Sequence, residues 1–178
     1  MQRCEFKDNN IIACICEGSA EQAIMDILLD NDAIIFKKEQ LLDEKVIRAR
    51  SAQKFEQDYL RKNFNEKITV YRILDSRREK FKLSKLYDTK VEVINVITAP
   101  EIEMLIIHNE DMYDDFKSTR KKPSDYCKQN LKYPDVKSYK FIKDYFSNIQ
   151  TLIYAIKKYR QKANIKIREK TLCDLLRE

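Results

Sequence analysis

A chain of 178 residues can form one domain with a real core, or one domain with an appendage. Its apolar share of 43% is ordinary for a globular chain, and its charged share of 36% is high. No apolar run reaches membrane-spanning length and the start of the chain lacks a signal-peptide core, which excludes a membrane partner and points to the cytoplasm.

The net charge of +6 is unevenly spread. Residues 1–111 carry 18 Lys/Arg against 21 Asp/Glu, whereas residues 112–178 carry 17 against 8. An acidic first part and a basic second part suit a phosphate-rich partner near a carboxylate cluster, and equally a merely solvated surface.

Taken in order, the chain first offers the unbroken apolar run Ile11 to Cys16, which suits a strand buried on both faces of a parallel sheet. Gly18, the only glycine, follows it. It implies a tight strand-to-helix turn that needs either a special dihedral or a close approach. Ser19 reads as an N-cap with Gln22 completing a capping box, and Ala20, Ala23, Ile24, Ile27 and Leu28 form the inner face of a helix.

Ala33 to Phe36 is predicted as a second strand, Lys37 to Lys45 as a short helix, and Val46 to Arg50 as irregular or a brief extension. Ser51 is predicted to cap a helix over Ala52 to Asn63, with Phe55, Tyr59 and Leu60 inside. Lys67 to Asp75 is the third strand, Arg78 to Leu86 a basic helix, and Val91 to Thr98 the fourth strand. Pro100 opens a helix ending near His108. Alternating strands and helices predict an α/β fold with a small, mostly parallel sheet flanked by helices.

Beyond Asp111 the strands stop. Asp114 to Pro123 is predicted as a charged linker, followed by helices over Pro123 to Leu131, Tyr139 to Phe146 and Ile149 to Ala163, with a last turn at Leu172 to Leu176. The division is thus an α/β core over 1–111 and a helical, basic extension over 112–178, packed on that core.

Of the five cysteines (Cys4, Cys14, Cys16, Cys127 and Cys173), none stands in a CxxC pair, so structural zinc has no support. Cys14 and Cys16 alternate in a buried strand and are expected on opposite sheet faces, unable to bridge.

Two acids stand at the ends of apolar strands, Glu17 after the first and Asp75 after the third. If those strands are neighbours, their carboxylates converge at one sheet edge, where ligands bind in open α/β sheets. Hard divalent cations take such oxygen ligands, and Glu21, one helical turn on, offers a third; acids at strand ends also simply cap helices. Glu101 fits a capping box begun by Thr98 and reads as structural. Glu103 is the one acid in an apolar run, either buried or facing a site. His108 lies seven residues beyond Glu101, about 10 Å along a helix, and is either a helix-terminal histidine or a site residue.

The string CICEGSAEQAI resembles the first motif of Toprim domains, in the EGxxE form of the OLD-type and RloB-like Toprim nucleases. ITAPEIEMLIIH resembles the RloB-like stretch of proline, glutamate and a hydrophobic helix ending in histidine. The resemblance covers residues 10 to 110. It implies Glu17 as the catalytic glutamate, Glu21 as its companion and Asp75 as the first acid of an Asp-x-Asp motif. It further implies Mg2+ or Mn2+ as cofactor, and a nuclease of DNA or RNA in bacterial or mobile-element defence.

Where the family has its second Asp, this chain reads Asp75-Ser76-Arg77, with Arg77 beside the proposed metal and Glu79 as the available substitute ligand. Arg77, Arg78 and Lys80, with Lys121 and Lys122 further on, are the candidate phosphate-binding residues. Aromatic residues interleave with the later basic ones, but Phe141, Tyr145 and Phe146 at helical spacing read as core. The alternatives are a catalytically inactive Toprim-like module that binds nucleic acid or a protein partner, or forms a homodimer, and a small-molecule phosphate protein, for which no phosphate loop appears.

Overall fold

The computed structural model describes residues 11–49, 51–61 and 67–177. It is an α/β protein whose four strands, β1 (Ile11–Cys16), β2 (Ile47–Arg48), β3 (Ile68–Leu74) and β4 (Val91–Ile97), form one sheet in the order β2-β1-β3-β4. Every pairing is parallel, with Ile11 opposite Ile68, Cys16 opposite Ile73 and Leu74 opposite Ile97. The apolar run of β1 therefore lies inside the sheet, as its two-sided hydrophobicity requires.

Parallel neighbours need long crossovers. After β1 the chain turns into α1 (Ser19–Asp30), which buries Ala23, Ile24, Ile27 and Leu28. Its N-cap is Gly18, not the predicted Ser19, and no side-chain cap bond forms there. Gln22 instead donates its backbone N–H to the Gly18 carbonyl, at 3.3 Å.

The predicted second strand, Ala33 to Phe36, is not in this sheet. Ile34 forms an antiparallel bridge with Leu176; the Ile35 N–H reaches the Leu175 carbonyl at 2.8 Å and the Arg177 N–H the Ala33 carbonyl at 2.9 Å. Its backbone pairs with residues 175–177, Phe36 stacks on Tyr71, and the strand beside β1 comes from Ile47–Arg48 instead. Between them lie two 3-10 turns, Lys38–Gln40 and Leu42–Glu44, rather than one short helix. The end of the stretch at Arg50 lies outside the described residues.

Ser51 caps α2 (Ala52–Phe55), its hydroxyl accepting the Lys54 N–H at 3.2 Å, and a π-helical turn continues it over Glu56–Leu60. The predicted end at Asn63 lies outside the described residues. The loop from β3 to β4 is not the predicted basic helix. Phe81 is half-buried and Leu83 buried while Lys80, Lys82 and Ser84 are exposed, an alternation of two that suits extended chain, not helix.

After β4 the helix predicted from Pro100 begins later, as α3 (Met104–Asn109), past a cis Ala99–Pro100 bond. The predicted linker contains α4 (Tyr113–Ser118); α5 (Pro123–Gln129), α6 (Tyr139–Tyr145) and α7 (Ile149–Lys162) follow, and then a 3-10 turn over Leu172–Leu175. These later helices share one buried cluster with α1 and α3, in which Ile24, Ile106, Phe146 and Ile156 are fully enclosed. Each such burial contributes about 1.5–3 kcal/mol. The other sheet face is covered by a smaller cluster around Phe55, Leu60 and Leu83.

Cys14 and Cys16 face the same side of the sheet, together with Ile12 in the larger cluster, because strand residues two apart point the same way. The expectation of opposite faces fails on that period. Both are free thiols, as are Cys127 and Cys173, and burial pushes the Cys16 thiol up, with Cys14 beside it adding to the shift. Cys4 lies outside the described residues.

Candidate functional site at the carboxyl ends of β1 and β3

Because β1 and β3 are adjacent and parallel, the residues that leave their carboxyl ends emerge side by side. Glu17 and Asp75 open onto one cleft of about 370 Å³, also lined by Glu21, Glu79, Glu103 and the single cation Lys137. Gly18, Ser19 and Ala20, at the start of α1, line it as well. The acids singled out in the sequence thus share one cleft.

Burial pushes the Glu17 carboxyl up to about 8; a hydrogen bond shared with the Glu79 carboxyl and the Glu79 charge add to this, against the pull of Arg72. Glu103, at the N-cap of α3, is raised to about 7 by burial, tempered by its own backbone amide and by Lys137. Burial also raises Asp75, helped by the Glu101 charge. For Lys137, burial acts to lower the ammonium, but Glu103, Glu101 and Asp75 outweigh it and hold it above its usual range.

Glu21 occupies the third position of α1, where an acid reaches back to the N-cap amide. Burial raises its carboxyl while the backbone amides of Glu21 and Gly18 hold it down. This explains the lone glycine. Gly18 has φ −116° and ψ 174°, open to any residue, so the special-dihedral explanation does not apply. The close approach does: a Cβ on Gly18 would collide with the Glu21 carboxylate.

Two residues of the site were not anticipated from sequence. Arg72, in the middle of β3, is 1% exposed; its Nη2 lies 3.1 Å from Glu79 Oε2 and 3.6 Å from Glu17 Oε1. Its guanidinium also sits 4.5 Å from the Phe81 ring centroid, and its Nε has no hydrogen-bond partner among the described residues. A charged residue inside the apolar string Ile68–Leu74 was the available signal. Lys137 comes from the turn before α6, and nothing in its local sequence marks it.

Several candidates fall elsewhere. Arg77 is committed to Glu169, with Nε–Oε1 at 2.6 Å and Nη2–Oε2 at 3.0 Å, so it does not stand beside the acids as a phosphate clamp. Arg78 and Lys80 are exposed on the following loop. Lys121 and Lys122 do not line the cleft; Lys121 donates to Asn130 at 2.7 Å and Lys122 is the N-cap of α5. His108 is 2% exposed, stacked on Tyr113 at 4.8 Å and edge-on to Tyr159 at 5.8 Å, so it is a core histidine. Glu101 does not pair with Thr98: it accepts the Ser124 N–H at 2.8 Å and caps α5, not its own helix.

The donor set is carboxylate oxygen alone, the kind a hard divalent cation takes. Its arrangement does not fit one as it stands. Among the described residues no group of three or more acid, histidine or cysteine side chains is close enough to hold a metal ion, and Arg72 already supplies positive charge to Glu17 and Glu79. No helix among the described residues is long and apolar enough to cross a membrane.

No family model matches the chain, and neither a curated protein nor a solved structure matches it.

Proposed function

We propose that the chain is a small Toprim-like nuclease, hydrolysing phosphodiesters of DNA or RNA in the cytoplasm, with the β1–β3 cleft as its active site. The observation that carries this reading is Glu17. It stands at the end of the inner strand β1, in one cleft with Asp75 and Glu79, with its carboxyl held at about 8. With no cation on it, a carboxyl poised there exchanges protons at neutral pH, which is the requirement for a general acid or base. Asp75, Glu21 and Glu79 supply the surrounding negative charge, and Arg78 and Lys80 the nearby exposed cations. Mg2+ or Mn2+ is the cofactor of this reading, and its charge would be set against a phosphate if these residues held it. It requires Glu17, Glu21, Asp75 and Glu79 to draw together. Bacterial or mobile-element defence is the setting the resemblance suggests.

A second reading has its own support. Arg72 beside Glu17 and Glu79, and Arg77 where the family has an acid, favour a catalytically inactive module on the same fold that binds nucleic acid or a protein partner, as a monomer or homodimer.

Thermal melts with added Mg2+ or Mn2+, and cleavage of labelled DNA and RNA, separate the two. The nuclease reading expects a raised melting temperature and cleavage, both lost in Glu17→Gln and in Asp75→Asn. A parent that binds nucleic acid, ignores both cations and cuts nothing overturns the nuclease reading in favour of the module.

A further inference from the structure

The segment after α7 folds into a tight turn, with the Glu169 N–H bonded to the Lys166 carbonyl at 3.0 Å and Arg168 in the left-handed region at φ 69°. Its tip carries Ile167, which at 95% exposure is the most exposed large hydrophobic residue among those described. Lys166, Arg168 and Lys170 are exposed around it. The one acid in the turn, Glu169, is spent on Arg77 and on the Lys166 N–H at 3.0 Å. The base is fixed on both sides: Arg77 also donates to the Asn164 carbonyl at 3.1 Å, and the Ile97 N–H at the end of β4 donates to the Lys170 carbonyl at 2.8 Å. An isoleucine is thus held out in water by a braced turn, ringed by cations, and the turn itself has no further acid to neutralise them. Arg77, two residues beyond Asp75, ties this turn to the rim of the acidic cleft.

We propose that the Lys166–Lys170 turn is a duplex-binding finger, in which Lys166, Arg168 and Lys170 grip backbone phosphates and Ile167 wedges between base steps. Apolar wedges flanked by Arg and Lys engage nucleic acid in this way, unstacking a step at a cost repaid by phosphate contacts. An anionic membrane offers the cations a similar partner. A lone isoleucine, however, brings too few methylenes, at about 0.8 kcal/mol each, for interfacial anchoring. The finger rests on the reading above only for the identity of the polymer that reaches the cleft, and it is tested without catalysis.

The experiment uses the full chain in EDTA with a short labelled duplex, followed by fluorescence anisotropy across a salt series. Replacing Lys166, Arg168 and Lys170 together by Gln is expected to reduce the magnitude of the log–log salt slope by about 2–3, one phosphate contact each. A duplex with 2-aminopurine at successive positions is expected to brighten on binding the parent and stay dark with Ile167→Ser. All four side chains are exposed, so melting temperatures are expected to match the parent. A parent that binds duplex with both variants unchanged in slope and fluorescence overturns the finger and leaves the nuclease reading standing. The expected slope and fluorescence changes, beside a parent that cuts neither DNA nor RNA in the Mg2+ or Mn2+ assay above, keep the finger and overturn the nuclease reading. A parent that binds phosphatidylserine vesicles but no duplex overturns the finger.

Discussion

Arg72 and Glu17 face each other across the β1–β3 pairing, Nη2 to Oε1 at 3.6 Å, with Glu79 closer still at 3.1 Å. A buried guanidinium in a parallel strand thus serves as the internal counter-charge of the acidic cleft. Its removal leaves two neighbouring carboxyls without their cation. Arg72→Met is expected to destabilise the protein by about 3 kcal/mol in urea unfolding, the low end for a broken buried pair because Glu79 is partly exposed. Adding Glu79→Gln is expected to recover part of the loss. A cycle with no coupling between the two changes would show that the contact carries no energy.

Burial, with Glu79 adding to it and Arg72 opposing it, also shifts the titration of Glu17. Glu17 folded holds its proton to about 8, well above an unfolded glutamate. The folded state therefore binds more protons, and the resulting stabilisation, complete below about pH 4.5, is lost as pH rises through 8. Glu103, at about 7, acts in the same sense. Chemical denaturation from pH 5 to 8.5 is expected to show falling stability from this source, with a shallower fall in Glu17→Gln. Carbon-detected NMR is expected to find the Glu17 midpoint lowered in Glu79→Gln, because a raising partner is gone.

His108 works in the opposite direction. Burial, with Lys158 and Lys162 nearby, lowers its imidazole to about 4. Stability from keeping it neutral is complete above about pH 6.5 and lost as pH falls toward 4, up to about 3 kcal/mol for a fully buried ring. His108→Gln is expected to flatten that acid limb while leaving any cleavage unchanged at pH 7.5, since the ring is outside the cleft. Loss of cleavage in a folded His108→Gln protein would place the histidine back in the chemistry.

Gly18→Ala and Gly18→Val test what the glycine is for. At φ −116° either residue adopts the backbone, so the expected cost is about 1 kcal/mol or less. The Glu21 carboxylate is expected to swing away from the helix start, with its NMR midpoint shifting in both variants. A severe loss of stability in the alanine variant would mean that the turn itself needs glycine.

Tyr159 pins the chain before α3, donating to the Ala99 carbonyl at 3.0 Å and accepting the Ala99 N–H at 2.9 Å. Tyr159→Phe leaves both backbone groups short of a partner, and a cost of about 1–3 kcal/mol is expected in urea unfolding.

The parts legible in sequence are those where one residue pattern has one physical solution. β1, β3 and β4 read correctly because long apolar or alternating runs fit only strands, and α7 because its apolar face repeats at helical spacing. The acids of the cleft were legible because the strands before them were. Ile47–Arg48 was not legible as a strand: two residues carry no period, and they gain their place from β1 alone. The basic loop before β4 is expected as a helix, while its true signal is the alternation of Phe81 and Leu83 with exposed Lys80, Lys82 and Ser84. Arg72 went unweighed because a strand was read as uniformly apolar around it, and Lys137 because its role depends on how α6 docks.

The bridge between Ile34 and Leu176 also constrains how the protein is made. Ile34, which follows the first helix, gains its bridge partner only once Leu176 arrives, far along the chain. During synthesis, residues 175–177 must therefore leave the ribosome before the segment after α1 can pair. Until then the backbone around Ile34 stands unpaired and open to other strands, an interval in which a chaperone would help.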